Sequence, residues 1–376
     1  MGSRYHRLGV HCLVAILITA ASLSAQIPVF IPQTQVAVEA NPVSFTVGDF
    51  IGDGKLDLVT ANQGASTLTV VRGLGNGFFQ PQNSLTVGVG PRVVAQGDFN
   101  ADGKLDLVSA NFIANTVTVL RGTGAGNFVQ AATLSASGPS SIAVGDFNAD
   151  GKLDLAITEA NSNSVSIFLG NGNVTFHPIF RSIVGDRPVS IVAGDFNRDG
   201  KLDLAVVNTN SNSVSVLLGN GNGTFQEPRN FAAGQLPVFV VVGDFNGDGK
   251  QDLAVANATG FSTSSVSVLR GVGNGSFLTP LTFTVGSNAS ALVAADFNLD
   301  GKLDLAVANA GSNTVSILLG IGDGIFEPPL DVGVADGPVW ISVADLDGDG
   351  KPDLLVANSL SNTVSVLINR TSRLVK

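Results

Sequence analysis

From about residue 40 onward, apolar residues come in short runs separated by turns rich in Gly, Asn and Asp. The stretch 188–233 shows the pattern. Residues 189–194 form one run, and 202–208 a second that is apolar at nearly every position. Residues 213–218 alternate as a third, and a more polar stretch around 229–233 follows a Gly-Asn-Gly turn. Short runs of this kind, bounded by turn residues, predict β-strands, whereas a helix needs apolar spacing sustained at three and four residues. The second run of each set is apolar on both faces, as in strands covered from both sides.

The same unit recurs seven times. Its marker, close to Asp-Phe-Asn-x-Asp-Gly-Lys-Leu-Asp-Leu, begins at Asp49, Asp98, Asp146, Asp195, Asp244, Asp296 and Asp345, at intervals of 48 to 52 residues. The position four before each marker is always apolar: Phe45, Val94, Ile142, Ile191, Val240, Leu292 and Ile341. A fixed period in this range with four strands per unit predicts an all-β, seven-bladed β-propeller with four-stranded antiparallel blades.

The ends of the repeat array fit a closed ring. After the seventh marker there is sequence for two more strands, so the last blade lacks its fourth. Residues 30–39, Phe-Ile-Pro-Gln-Thr-Gln-Val-Ala-Val-Glu, match the fourth-strand segment 79–87, Phe-Gln-Pro-Gln-Asn-Ser-Leu-Thr-Val. The N-terminal strand is therefore expected to complete the last blade, leaving no open sheet edge.

Composition adds three points. Hydrophobic residues make up 44% of the chain and charged residues 13%, the reverse of a disordered segment. One Cys excludes a disulfide framework. Residues 1–25 place Arg4, His6 and Arg7 before an apolar stretch at 8–20 and small residues up to Ala25, the pattern of a secretory signal peptide. That apolar stretch is short of the roughly 20 residues a membrane span needs. The remaining chain, 26–376, is expected to be one propeller, secreted to the extracellular space or cell envelope, monomeric and without a membrane span.

The acids carry the candidate chemistry. Of 30 Asp and Glu residues only four are Glu. Most of the Asp fall at positions 1, 5 and 9 of seven loops, with Asn or Asp at position 3 and Gly at position 6. The sets are Asp49, Asp53 and Asp57 in loop 49–57; Asp98, Asn100, Asp102 and Asp106 in 98–106; Asp146, Asn148, Asp150 and Asp154 in 146–154; and Asp195, Asn197, Asp199 and Asp203 in 195–203. They continue with Asp244, Asn246, Asp248 and Asp252 in 244–252, Asp296, Asn298, Asp300 and Asp304 in 296–304, and Asp345, Asp347, Asp349 and Asp353 in 345–353. Carboxylates converging on a tight turn repel one another unless a cation lies between them. Oxygen donors without His or Cys select Ca²⁺, and an all-protein cage favours it over Mg²⁺. Up to seven Ca²⁺ sites are expected, with the position-7 backbone carbonyl as a further ligand. Loop 345–353, with four carboxylates, should be tightest, and the Asp49 loop, with Ile51 at position 3, weakest. An EF-hand would need Glu at position 12, where Ser109 and Ile157 stand.

The phrases Asp-Phe-Asn-x-Asp-Gly-Lys-x-Asp-Leu-Ala-Val-Ala-Asn and Ser-Val-Leu-Leu-Gly-Asn-Gly-Asn-Gly-Thr-Phe resemble FG-GAP/VCBS repeats, such as the blades of the integrin alpha-chain propeller. The resemblance spans residues 30 to 370. It implies Ca²⁺ held in the hairpins between first and second strands, on one face of the disc. It also implies partner binding on the opposite face or rim.

Function is less legible. Beyond residue 25 there is no Cys or Tyr, and one His, His177, in a fourth strand where a solvated edge position is expected. The reading is a non-catalytic interaction or adhesion module for an extracellular protein or glycan. The alternatives are a carbohydrate-binding lectin and, further off, a polysaccharide lyase. No basic run favours nucleic acid. Differences between blades mark Trp340 and Phe239, at one shared position, and Phe261 and Phe112, in loops between second and third strands, as candidate partner contacts on the face opposite the calcium loops.

Overall fold

The computed structural model describes residues 26–33, 35–260 and 263–372. It has seven antiparallel sheets arranged as the blades of a β-propeller, with no helix among the described residues. The segment 1–25 lies outside the described residues, as does Phe261. No described helix is long and apolar enough to cross a membrane.

In blade 1 the strands are Pro42–Gly48, Asp57–Asn62, Thr67–Gly73 and Phe79–Thr86, paired in that order from the axis outward. The later blades repeat this order, each opening on a first strand: Pro91–Gly97, Pro139–Gly145, Pro188–Gly194, Pro237–Gly243, Ala289–Ala295 and Pro338–Ala344. First strands of neighbouring blades lie side by side around the axis, including those of blades 7 and 1, so the ring is closed. The fourth unit is observed as Pro188–Gly194, Asp203–Asn208, Ser213–Leu217 and Arg229–Ala232, within a residue or two of the bounds expected from its pattern.

Each second strand is buried at every position, from its leading Asp to its closing Asn, or Glu159 in blade 3. The physical cause is the stacking of sheets: both faces of a blade are covered by neighbours, so period-two alternation gives way to continuous apolar runs. There is accordingly no single core. Seven apolar clusters each join one blade to the next, for example Phe50, Val59 and Leu68 of blade 1 with Val94 and Leu107 of blade 2. Leu346, Leu355 and Val366 of blade 7 join Phe45 and Leu58 of blade 1 in the same way.

The N-terminal segment completes blade 7 as expected. Phe30–Pro32 and Val36–Ala37 pair antiparallel with Thr363–Asn369, with Phe30 opposite Asn369. In blade 1 Phe79 lies opposite Gly73, the corresponding pair. The ring of Phe30 packs edge to face on Phe297 of blade 6, with centroids 5.7 Å apart. Equivalent pairs recur between blades: Phe50 with Phe128, Phe99 with Phe176, Phe147 with Phe225, Phe196 with Phe277 and Phe245 with Phe326. Each such pair contributes about 0.5–1.5 kcal/mol beyond the apolar area it buries.

Candidate metal centre

Every acidic loop bridges a first and a second strand, so all seven lie at one end of the ring. Loop 98–106 shows how the chain is wound. The Asp98 carboxylate accepts the backbone N–H of Asp102 at 3.1 Å and of Gly103 at 2.8 Å. The Asn100 side-chain oxygen accepts from Asp102 N–H at 3.1 Å, and Asp102 accepts from Lys104 N–H at 2.9 Å. These are successive Asx turns, which draw the side-chain oxygens of positions 1, 3 and 5 toward one side of the turn. Two residues must be left-handed for this: Gly103 at φ 80° and Ala101 at φ 55°. Gly at position 6 was evident from the sequence. The strain at position 4, carried by Ala101, Ala149, Arg198 and Leu299 in four loops, was not.

The ninth-position aspartates have a second role that spacing did not reveal. Asp57, Asp106, Asp154, Asp203, Asp252, Asp304 and Asp353 are all fully buried. One oxygen of each accepts the N–H of loop position 2, as from Phe99 to Asp106 at 2.9 Å. The other accepts an N–H from the end of the third strand, as from Gly122 at 2.7 Å. Each therefore pins its loop to its own blade. In blades 1 to 6 that residue is Gly, and the carbonyl of loop position 8 passes close over it: a Cβ on Gly122 would lie 2.2 Å from the Leu105 oxygen; in blade 7 it is Asn369.

Burial pushes these carboxyls up, and other aspartates of the same loop add to it: Asp203, Asp252 and Asp353 to about 6 and Asp304 to about 7. Some of the exposed fifth-position acids go the other way. Asp53 is lowered by its hydrogen bond from Arg72, and Asp248 by that from Lys250. A carboxylate offers about four lone-pair positions. A ninth-position Asp with two N–H partners therefore keeps capacity for a cation.

The loops differ. Among the described residues, the carboxylates whose oxygens gather within 4.8 Å of one another as a trio are Asp345, Asp347 and Asp353. In the other loops an Asn, or Ile51, stands at position 3. The Asp347 carboxylate also receives Arg370 at 2.7 Å, which approaches Asp349 at 3.4 Å. In loop 49–57, Arg72 pairs with Asp53 at 2.9 Å, and Ile51, with no side-chain oxygen, gives its N–H to Asp57. Lys152, Lys250 and Lys351 fold back onto Asp150, Asp248 and Asp349 of their own loops. Cationic side chains thus already neutralise part of the charge. The donors are all oxygen, a set that can hold a hard divalent cation.

The residues singled out on the other face are partly brought together. Trp340 and Phe239 are half-buried and meet edge to face, with centroids 5.1 Å apart and planes at 89°. They come from blades 7 and 5 and line the axial channel. Phe112 is half-buried under the guanidinium of Arg92, 5.3 Å from its ring centre. His177 is exposed, with Nδ1 3.1 Å from the Asn171 side-chain oxygen.

The FG-GAP-like repeat family matches residues 49–109, 98–157, 146–206, 195–255, 244–307 and 296–356. No curated relative matches the chain. Solved structures share the fold. BBS1N in complex with ARL6DN superposes with a TM-score of 0.66 at 13% identity, over 92% of this chain and 99% of that one. A protein assigned as a 6-phosphogluconolactonase from Bacteroides uniformis ATCC 8492 gives 0.65 at 16% identity, over 85% and 95%. Catalytically inactive virginiamycin B lyase from Staphylococcus aureus with quinupristin gives 0.60 at 14% identity, over 90% and 99%.

Proposed function

The chain belongs to the FG-GAP-like repeat family, and from that premise we propose that it is a secreted, calcium-stabilised propeller. In this reading it serves as a non-catalytic interaction module for a protein or glycan outside the cell. The observation that carries the calcium reading is the sevenfold Asx-turn loop, which turns oxygen donors to one side and sets three buried or half-buried carboxylates together at Asp345, Asp347 and Asp353. Ca²⁺ would offset the repulsion among these acids. The side chains at positions 1, 3, 5 and 9 would hold it, the ninth-position Asp also pinning the loop to its blade.

The loops also explain why metal would matter to the ring. Position 2 of each loop gives its N–H to the ninth-position Asp and, in blades 1 to 5 and blade 7, its carbonyl to a backbone N–H of the next blade, as from Gly126 to Phe50 at 3.0 Å. A stiffer loop therefore braces the seam between blades. Extracellular modules hold Ca²⁺ with Kd of about 10⁻⁴–10⁻³ M. At ten times Kd each site adds about 1.4 kcal/mol to the folded state. The test is thermal unfolding with calcium and with excess EGTA. A fall of more than about ten degrees on chelation supports the reading, and an unchanged melt overturns it.

Secretion rests on the charge and hydropathy pattern of residues 1–25. The non-catalytic reading rests on the use of the acids in loop architecture and on the exposed setting of His177. Solved propellers of this fold include both a complex with a protein partner and a lyase, so a turnover assay belongs beside any binding assay.

A further inference from the structure

The end of the axial channel away from the acidic loops holds a cavity of about 580 Å³. It is formed where the first strands begin. Seven-residue strands separate it from the loops by roughly 20 Å. Trp340 and Phe239 line both this cavity and the apolar channel behind it, so the edge-to-face pair forms its floor. Arg92, beginning blade 2, and Arg187, just ahead of blade 4, line its wall, and no Asp or Glu does. Neither guanidinium forms an ion pair with a carboxylate among the described residues. Arg92 is instead held over the ring of Phe112. Burial, and after it the like charge of Arg187, lower its pKa, although an Arg stays protonated.

In an acidic chain, two unneutralised guanidiniums lining one cavity are a local reversal of charge. Such a pair fits a carboxylate, which Arg binds through two parallel hydrogen bonds. The rest of the lining narrows the ligand. An indole floor offers a flat apolar surface, and Asn210, Asn288 and Ser141 offer amide and hydroxyl groups. The volume lies within the usual range for small-molecule sites, about 300–1,000 Å³. A compact axial cavity suits a short chain of rings rather than an extended peptide.

We propose that this axial cavity binds an acidic saccharide, its carboxylate held between Arg92 and Arg187 and a sugar ring laid against Trp340. This deepens the interaction-module reading by naming the ligand class, and it rests on that reading only for binding, not for calcium.

Trp340 is the single Trp of the chain, so its emission reports on the cavity directly. The experiment titrates the intact protein with di- and trigalacturonate, without excess calcium, following that emission. The comparison ligands are neutral galactose oligomers, inorganic phosphate and sulfate. The expected result is a saturable change with the uronates alone, weakening as salt rises. Arg187→Gln, at an exposed position, should weaken binding about tenfold or more, as for loss of a charge-assisted hydrogen bond, with an unchanged melting temperature. Arg92→Gln should act alike. No emission change with uronates overturns the proposal. So does equal binding of neutral oligomers, equal binding of phosphate or sulfate, or wild-type affinity in Arg187→Gln. Growth of ultraviolet absorbance from unsaturated uronate would support the cavity assignment and overturn the non-catalytic reading. An EGTA-insensitive melt would remove the calcium reading and leave this one standing.

Discussion

The side-chain amide of Asn369 donates to the carbonyl of Phe297 at 3.0 Å, and this bond joins blade 7 to blade 6 beside the strand pairing where the two ends of the chain meet. At the other six seams the same carbonyl, of loop position 2, is met by a backbone N–H from the next blade: Gly126, Val174, Gly223, Gly275, Gly324 and Gly77. In blade 7 the hairpin that would supply it is replaced by the N-terminal strand. Asn369 stands where the other blades have Gly, and its side chain takes over the donor.

Asn369→Ala should therefore cost more than a surface substitution. It leaves the Phe297 and Pro352 carbonyls without their side-chain donor and removes the acceptor for Thr371 N–H. The expected loss is about 1–3 kcal/mol, the cost of unpaired buried polar groups. Chemical denaturation measures it, and a change below about 0.5 kcal/mol would refute the role.

The N-terminal clasp gives a second prediction. Phe30→Ala removes the ring packed on Phe297 and should destabilise by about 2 kcal/mol, below the cost for a fully buried Phe because Phe30 is half-buried. Deleting residues 26–38 should do more, exposing the backbone of Thr363–Asn369 as an open edge. Light scattering and size-exclusion chromatography should then show association that the intact chain lacks.

The buried ninth-position acids predict an unusual pH response in metal-free protein. Asp203, Asp252 and Asp353 at about 6 and Asp304 at about 7 bind protons more tightly folded than unfolded. Their contribution is full below the unfolded value near 4 and is lost as pH rises through 6 and 7. The lowered acids Asp53, Asp150 and Asp248 act oppositely, and their share is lost as pH falls below about 4. Melting temperature in chelator-treated protein should thus decline between about pH 4 and 7. Saturating Ca²⁺ should reverse that slope, because protons compete for the same oxygens. A slope unaffected by Ca²⁺ would contradict the assignment.

Cationic side chains near the loops set a ranking that composition alone misses. Arg370 occupies Asp347 and Asp349, so Arg370→Gln should tighten Ca²⁺ at loop 345–353 by several-fold, about 1 kcal/mol. Asp347→Ala should weaken it. Ile51→Asn restores the third-position donor in loop 49–57 and should raise affinity there. Calorimetric titration resolves these outcomes, and an Arg370→Gln protein that binds more weakly would show that the Arg supports the site.

Much of this was legible in the residues because a repeat writes the same physics seven times. The alternation and its period predict blades, and the match of residues 30–39 to 79–87 predicts the clasp. The Asp spacing predicts the loops, since Asx turns and left-handed Gly are local properties of a few adjacent residues. The double use of the ninth-position Asp was hidden. Its partner N–H lies on the third strand, 16 residues away for Gly122, and only pairing of the strands brings it near.

The sequence by itself determined the blade, the ring and the acidic loops, because each depends on contacts within one repeat or between identical neighbours. Only the tertiary structure decided what meets at the axis and at the seam. Arg92, Arg187, Phe239 and Trp340 belong to four different blades and break the repeat pattern; a shared repeat position relates Phe239 to Trp340, but no local rule relates either to the two arginines. Closure of the ring brings the starts of all first strands to one pole, and that is what turns four scattered exceptions into one cavity.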